Sequence, residues 1–146
     1  MVKPLAEVSA SPPYGQVQVA ASDALPDGHA AVRTVEDLQK LLRAIAADCP
    51  RPVIVTVIRA DGDMLSIGVG RPVSFLTFIP KDNMPPYFSV HVASNPEEEV
   101  CFDYNGEPSF YSARNTVPFE LALEVVRRFV LSSGLPLPDL VPWAPA

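Results

Sequence analysis

Six consecutive residues, Val53-Ile54-Val55-Thr56-Val57-Ile58, are β-branched without a break. Such side chains are stiff at χ1, lose freedom against the preceding turn of a helix, and pack well on a pleated surface. The run therefore reads as a strand, and its near-continuous apolar character predicts a central strand buried on both faces. A strand of that kind obliges the rest of the chain to build layers around it. Proline marks where those layers are interrupted. The chain has 146 residues and 17 prolines, more than twice the usual ~5%, and most of them stand at boundaries. Pro50 and Pro52 precede the strand, and Pro72, Pro80, Pro85 and Pro86 fall in strand connections. Pro118 opens a helix, and Pro136 and Pro138 follow its end.

The segment before the strand is a helix by several signals at once. Thr34 is an N-cap with Asp37 at capping-box spacing. Val35, Leu38, Leu41, Leu42, Ile45 and Cys49 then form one apolar stripe, and Cys49-Pro50 and Arg51-Pro52 end it because proline disfavours helical geometry in the residue before it. After the strand the period is two. Ala60-Asp61-Gly62-Asp63 is a hairpin turn, and Leu65, Ile67 and Val69 alternate with Ser66 and Gly68, which gives the returning strand a wet face. Further strands read as Val73-Ser74-Phe75-Leu76-Thr77-Phe78-Ile79, Tyr87-Phe88-Ser89-Val90-His91-Val92 and Val100-Cys101-Phe102-Asp103-Tyr104. Asn105-Gly106 is the strongest two-residue hairpin signal in the chain, since both residues tolerate positive φ. A second helix starts at Pro118 and buries Phe119, Ala122, Leu123, Val126, Phe129 and Val130. Gly134 and Pro136 end it, and the apolar tail over residues 135–146 is expected to pack on the sheet or a helix.

The order predicts an α+β fold: a mainly antiparallel sheet of about five or six strands, flanked by an N-terminal-side helix and a C-terminal helix. Residues 1–31 read as a lead-in with a candidate edge strand at 16–20, and residues 32–146 as a single domain. No segment approaches the ~20 apolar residues of a membrane span, and the start has no apolar run of signal-peptide length. The expectation is a soluble cytoplasmic protein. A net charge of −6 argues against direct nucleic-acid binding and suits a basic partner.

Chemistry is sparse. The two histidines, His29 and His91, have no metal-ligand spacing with Cys49 or Cys101, so neither a metal nor a cofactor is implied. The same residues leave one enzymatic alternative open, a small enzyme or ligand-binding domain using a pocket near Cys101 and His91. Gly68-Val69-Gly70 lacks the third glycine and following helix of a dinucleotide loop and reads as a device for twist or close backbone approach. More suggestive are Asp103 and Glu107, with Tyr104, Phe110 and Tyr111, around the Asn105-Gly106 turn, next to the acidic run Glu97-Glu98-Glu99. Aromatic anchors among charges are what interfaces prefer. One of Phe110 and Tyr111 must point inward, because neighbours in a strand face opposite ways.

Taken in order, Leu65-Ser66-Ile67-Gly68-Val69-Gly70, Ser74-Phe75-Leu76-Thr77-Phe78-Ile79, Pro86-Tyr87, Phe102-Asp103-Tyr104-Asn105-Gly106, Asn115-Thr116-Val117-Pro118, and Gly134-Leu135-Pro136 with Trp143 resemble the immunity protein family 1 of bacterial polymorphic toxin systems. The opening Thr34-Val35-Glu36-Asp37-Leu38 is similar to that family's first helix, and the resemblance runs over residues 32–143. It implies a non-enzymatic protein that binds and neutralises a cognate toxin, commonly a nucleic-acid deaminase, by occluding its active site. The partner expected on that basis is a protein with a basic nucleic-acid-binding groove. Its contacts would fall on Asp103, Tyr104, Glu107, Phe110, Tyr111, Glu97, Glu98 and Glu99. Relatives often carry Glu after a small polar residue beyond the hairpin, where Phe110 follows Ser109 here.

Overall fold

A computed structural model describes residues 17–21, 24–82, 87–92, 98–132 and 140–145. The elements are β1 (Val17–Ala20), β2 (His29–Val32), α1 (Val35–Asp48), β3 (Val53–Ile58), β4 (Met64–Val69), β5 (Val73–Ile79) and β6 (Phe88–Val90). They continue with β7 (Glu99–Tyr104), β8 (Glu107–Ser112), a 3₁₀ turn (Ala113–Asn115), β9 (Thr116–Pro118), α2 (Phe119–Val130) and β10 (Trp143–Pro145). The main path across the sheet is β10-β6-β5-β4-β3-β1-β2. β9 pairs antiparallel with the start of β5, and the β7–β8 hairpin joins β3 through one parallel pair, Val53 with Asp103. The remaining pairings are antiparallel.

The fold class is the one expected, but the sheet has ten strands where about five or six were anticipated from strand patterning. The additional strands are short and carry weak signals. β2 is His-Ala-Ala-Val, without β-branched enrichment until its last residue, and β9 and β10 have three residues each and contain proline. Proline survives there because edge positions and strand ends need no ladder donor. The candidate strand at 16–20 is present as β1, with β2 outside it. Trp143 and its neighbours dock as β10 on β6, so the described part of the apolar tail does pack on the sheet.

Local chemistry sets the element ends. The Thr34 hydroxyl accepts from the Asp37 N–H at 3.1 Å and caps α1. Gly62 turns the β3–β4 hairpin at φ +97°, and Asn105 and Gly106 turn β7–β8 at +52° and +83°, the paired positive φ of a type I′ turn.

The principal core lies between one sheet face and the helices. Val53, Val55, Val57, Leu65, Ile67, Val69, Leu76 and Phe78 pack there with Leu38, Leu42 and Ile45 of α1 and Leu123, Val126 and Phe129 of α2. On the opposite face Ile54, Thr56 and Ile58 are only half-buried. β3 is therefore central in the sheet, but helices cover one of its faces and not both. A β-branched run records strand preference; it does not record which layer will cover which face.

Arg59, at the end of β3, is fully buried. Its Nε meets both Asp61 carboxylate oxygens at 3.0 and 3.1 Å, and its Nη2 meets Asp63 at 2.8 Å. Nη1 donates to the carbonyls of Phe129 and Ser132 at 2.9 and 3.0 Å, while the guanidinium lies 4.4 Å from the Phe129 ring centroid. The β3–β4 turn is thereby tied to the C-terminal end of α2 and the residues just after it. No helix among the described residues is long and apolar enough to cross a membrane.

Candidate functional site

Antiparallel register places one residue from each of four strands in a transverse row on the open sheet face. Thr56 pairs with Ser66, Ser66 with Thr77, and Thr77 with Ser89. The hydroxyls associate in two pairs, Thr56 with Ser66 at 3.3 Å and Thr77 with Ser89 at 3.1 Å. Beside this row lies an apolar one, Ile58, Met64 and Ile79, also in direct register. On the other side Ile54 and Phe75 continue the floor, and Tyr104, Ser109 and Tyr111 of the β7–β8 hairpin wall it. The result is a groove of about 690 Å³ whose lining, among the described residues, carries no formally charged side chain.

The hairpin is seated by an aromatic cluster separate from the helix-side core. Phe102, fully buried, lies over Gly68, where an added Cβ would sit 2.6 Å from its ring atoms. Phe75 meets Phe102 edge-on at 5.4 Å and stacks on Tyr111 at 3.8 Å with an interplanar angle of 6°. Burial pushes the Tyr111 hydroxyl above its ordinary pKa, so it stays neutral. Arg71 donates through Nε to the Cys101 carbonyl at 2.8 Å and lies 5.8 Å from the Phe102 ring centroid. The Asp103 N–H donates to the Pro52 carbonyl at 2.8 Å. Gly68 and Gly70 thus serve close approach: at Gly70, with φ +114°, an added Cβ would sit only 2.9 Å from Pro52 Cα.

Alternation divides the residues anticipated as contacts. Phe102, Tyr104, Glu107, Ser109 and Tyr111 fall on one hairpin face by register, and Glu99, Cys101, Asp103, Phe110 and Ser112 on the other. Tyr104 and Phe110, 53% and 64% exposed, are the exposed large hydrophobic residues among those described, and both belong to this hairpin. Tyr111 is the inward member of the Phe110–Tyr111 pair. Glu98, Glu99 and Glu107 are exposed, whereas the Asp103 side chain is 14% exposed and paired with Arg51 at 3.3 Å. Glu97 lies outside the described residues. His91 is exposed at the end of β6 and Cys101 is on the outer hairpin face, so neither lines the groove. Among the described residues no three His, Cys, Asp or Glu side chains are grouped to hold a metal ion.

Sequence reasoning missed the hydroxyl row. The expected wet face of β4 is not found, since Ser66 and Gly68 are buried, Gly68 beneath Phe102, and alignment of Thr56, Ser66, Thr77 and Ser89 depends on the register of three separate pairings. Sequence reasoning also missed Arg59, whose only local signal is its position between a buried strand and Asp61-Gly62-Asp63.

Among the described residues the helices lie on one face of the sheet and the β7–β8 hairpin covers part of the other, an α+β architecture. The chain belongs to the Imm1 family of immunity proteins: the family described as Immunity protein Imm1 matches residues 27–145. That span contains residues 32–143, where the motifs resemble the family, and extends to β2 and β10. No curated protein matches the chain.

Proposed function

We propose that this immunity protein neutralises its cognate toxin by binding it through the β7–β8 hairpin, without catalysis of its own. The observation that carries the reading is the exposure of Tyr104 and Phe110 on the two faces of one hairpin, with Glu107 at its turn and Glu98 and Glu99 at its base. Aromatic side chains give large contact area at low entropic cost, and the acids around them steer a basic partner. Glu97 extends the acidic run, and Tyr111 supports the hairpin from beneath. Asp103, held by Arg51, fixes the hairpin to the sheet and contributes less as a free charge.

The toxin class that fits is an enzyme acting on nucleic acid, a deaminase in the first instance. Its substrate groove must be basic to hold phosphates, and an acidic aromatic hairpin laid across it occludes the active site. The setting is the cytoplasm of the cell that makes the toxin. The test is binding of the inactivated toxin domain encoded beside this gene, with growth rescue on co-expression as a second readout. Phe110→Ala and Glu99→Lys with Glu107→Lys should each weaken the complex at least about tenfold, with the charge variant acting mainly on the association rate. Unchanged affinity in both variants would overturn the reading.

A further inference from the structure

The open face has a cross-section that selects a particular kind of occupant. A hydroxyl row runs across β3, β4, β5 and β6, and apolar side chains border it on both sides: Ile58, Met64 and Ile79 along one edge, and Ile54 with Tyr104 and Tyr111 of the hairpin along the other, Phe75 lying buried beneath Tyr111. Each hydroxyl offers one donor and two acceptor sites, so the two internal pairs leave bonding capacity directed outward. An extended backbone laid along the row matches this pattern. Its N–H and C=O groups fall over the hydroxyls, and its side chains, alternating left and right, fall on the two apolar borders. Three inter-strand spacings of ~4.8 Å give a row about 14 Å long, the span of roughly four extended residues. The lining offers no counter-charge among the described residues, and burying an unpaired charge is costly, which favours an uncharged occupant.

We propose that the groove receives an extended, uncharged segment of the toxin, about four residues long, lying across β3 to β6 beneath the hairpin. This rests on the reading of the chain as a toxin-binding immunity protein and adds a second contact area to it. Continuity supports the choice of occupant. Tyr104 both walls the groove and is one of the exposed aromatics of the hairpin, so the groove is continuous with the hairpin face that carries Tyr104 and Glu107. The acids Glu99 and Glu107 border the hairpin while the groove lining has none, which divides the partner into a basic surface and an uncharged insert.

The test uses the full chain and the inactivated toxin domain encoded beside this gene. Thr56→Val with Thr77→Val keeps shape and removes two hydroxyls; affinity should fall on the order of tenfold with unchanged thermal stability. Met64→Glu places a charge on the apolar border and should weaken binding on the order of a hundredfold. A photoreactive phenylalanine at position 77 should crosslink to a single uncharged stretch of the toxin. Wild-type affinity in both groove variants, or crosslinks to a second copy of this chain or to a charged toxin surface, would overturn the proposal. Loss of binding in Phe110→Ala beside intact binding in the groove variants would refute the groove while leaving the hairpin reading in place. Loss in the groove variants beside intact binding in Phe110→Ala would refute the hairpin alone.

Discussion

Gly68→Ala isolates the joint between the hairpin and the sheet. The new methyl would lie 2.6 Å from Phe102 Cε1 and Cζ and 2.8 Å from Cε2, against ordinary carbon contacts of about 3.5–4.0 Å. The ring must therefore withdraw by about 1 Å, yet it is fully buried, edge-on to Phe75 at 5.4 Å and to Tyr111 at 6.3 Å. Overpacking of this kind costs about 1–3 kcal/mol. Exchange of a mid-strand glycine for alanine returns roughly 0.5–1 kcal/mol of backbone entropy, leaving a net loss of about 1–2 kcal/mol. Phe102 and Phe75 stand outside the helix-side core cluster, so the strain is relieved at the least cost by lifting β7–β8. That movement gives up the Val53–Asp103 pair, the Asp103 bond to Pro52 and the Arg71 bond to Cys101. The expected outcome is a fall in melting temperature of roughly 2–8 °C, with faster amide exchange confined to residues 99–112 and none added in β3 or β4. Phe102→Leu should relieve the clash, so the double mutant is more stable than the sum of the singles by at least about 0.5 kcal/mol. Unchanged exchange across the hairpin, or strict additivity of the two substitutions, would refute the seating of Phe102 on Gly68 as the joint.

Arg59→Ala should destabilise by about 3–5 kcal/mol in urea unfolding, because it removes the buried cation that pairs Asp61 and Asp63 and bonds the carbonyls of Phe129 and Ser132. Arg59→Lys should recover little of that, since an ammonium cannot reproduce the planar fork; a loss below about 1 kcal/mol for alanine would contradict this account. Burial of Asp61 acts to raise its pKa, but the hydrogen bond from Arg59, the Asp63 N–H and the charges of Arg59 and Lys81 together hold it below its ordinary 3.8. A depressed carboxylate stabilises the folded state above the unfolded value and loses that contribution as pH falls through the folded one. Stability should accordingly drop more steeply below pH 3.8 in the wild type than in Asp61→Asn, as followed by acid titration of the unfolding midpoint. Gly106→Ala has open space around it and is strained only by its φ of +83°, whereas Gly70→Ala meets Pro52 as well as a φ of +114°. Chemical denaturation should rank Gly70→Ala as the more damaging by at least about 1 kcal/mol.

What could be read from the chain divides along the range of the interactions involved. The α1 cap is settled between Thr34 and Asp37, and the β7–β8 turn between Asn105 and Gly106, so both were legible from a few adjacent residues. That Phe110 and Tyr111 face opposite ways was legible because alternation within one hairpin needs no knowledge of the rest of the sheet. β2, β9 and β10 were not, since each is held by its partner strand more than by its own composition. Asp103 looked like a free acid until Arg51, 52 positions away, was brought beside it. The same limit hid the groove. Ile54, Thr56 and Ile58 look as buried as their neighbours, and only the placement of both helices on the other face exposes them.

On the proposed binding mode, recognition and stability fall to alternate residues of the same strands. β3 sends Val53, Val55 and Val57 into the helix-side core and Thr56 with its half-buried neighbours into the groove, so one strand serves both faces. A substitution at Thr56, Met64 or Thr77 changes the chemistry of the groove without opening a cavity among the core side chains, and partly exposed positions of that sort cost within about 0.5 kcal/mol. Substitution at Val55 or Ile67 removes fully buried volume and costs several times as much. The aromatic cluster of Phe75, Phe102 and Tyr111 stands between these regimes, fixing the height of the hairpin above the groove without belonging to the main core. The proposed binding mode therefore predicts that the floor of the groove and the tip of the hairpin can change with the toxin, provided Gly68 keeps the seat for Phe102.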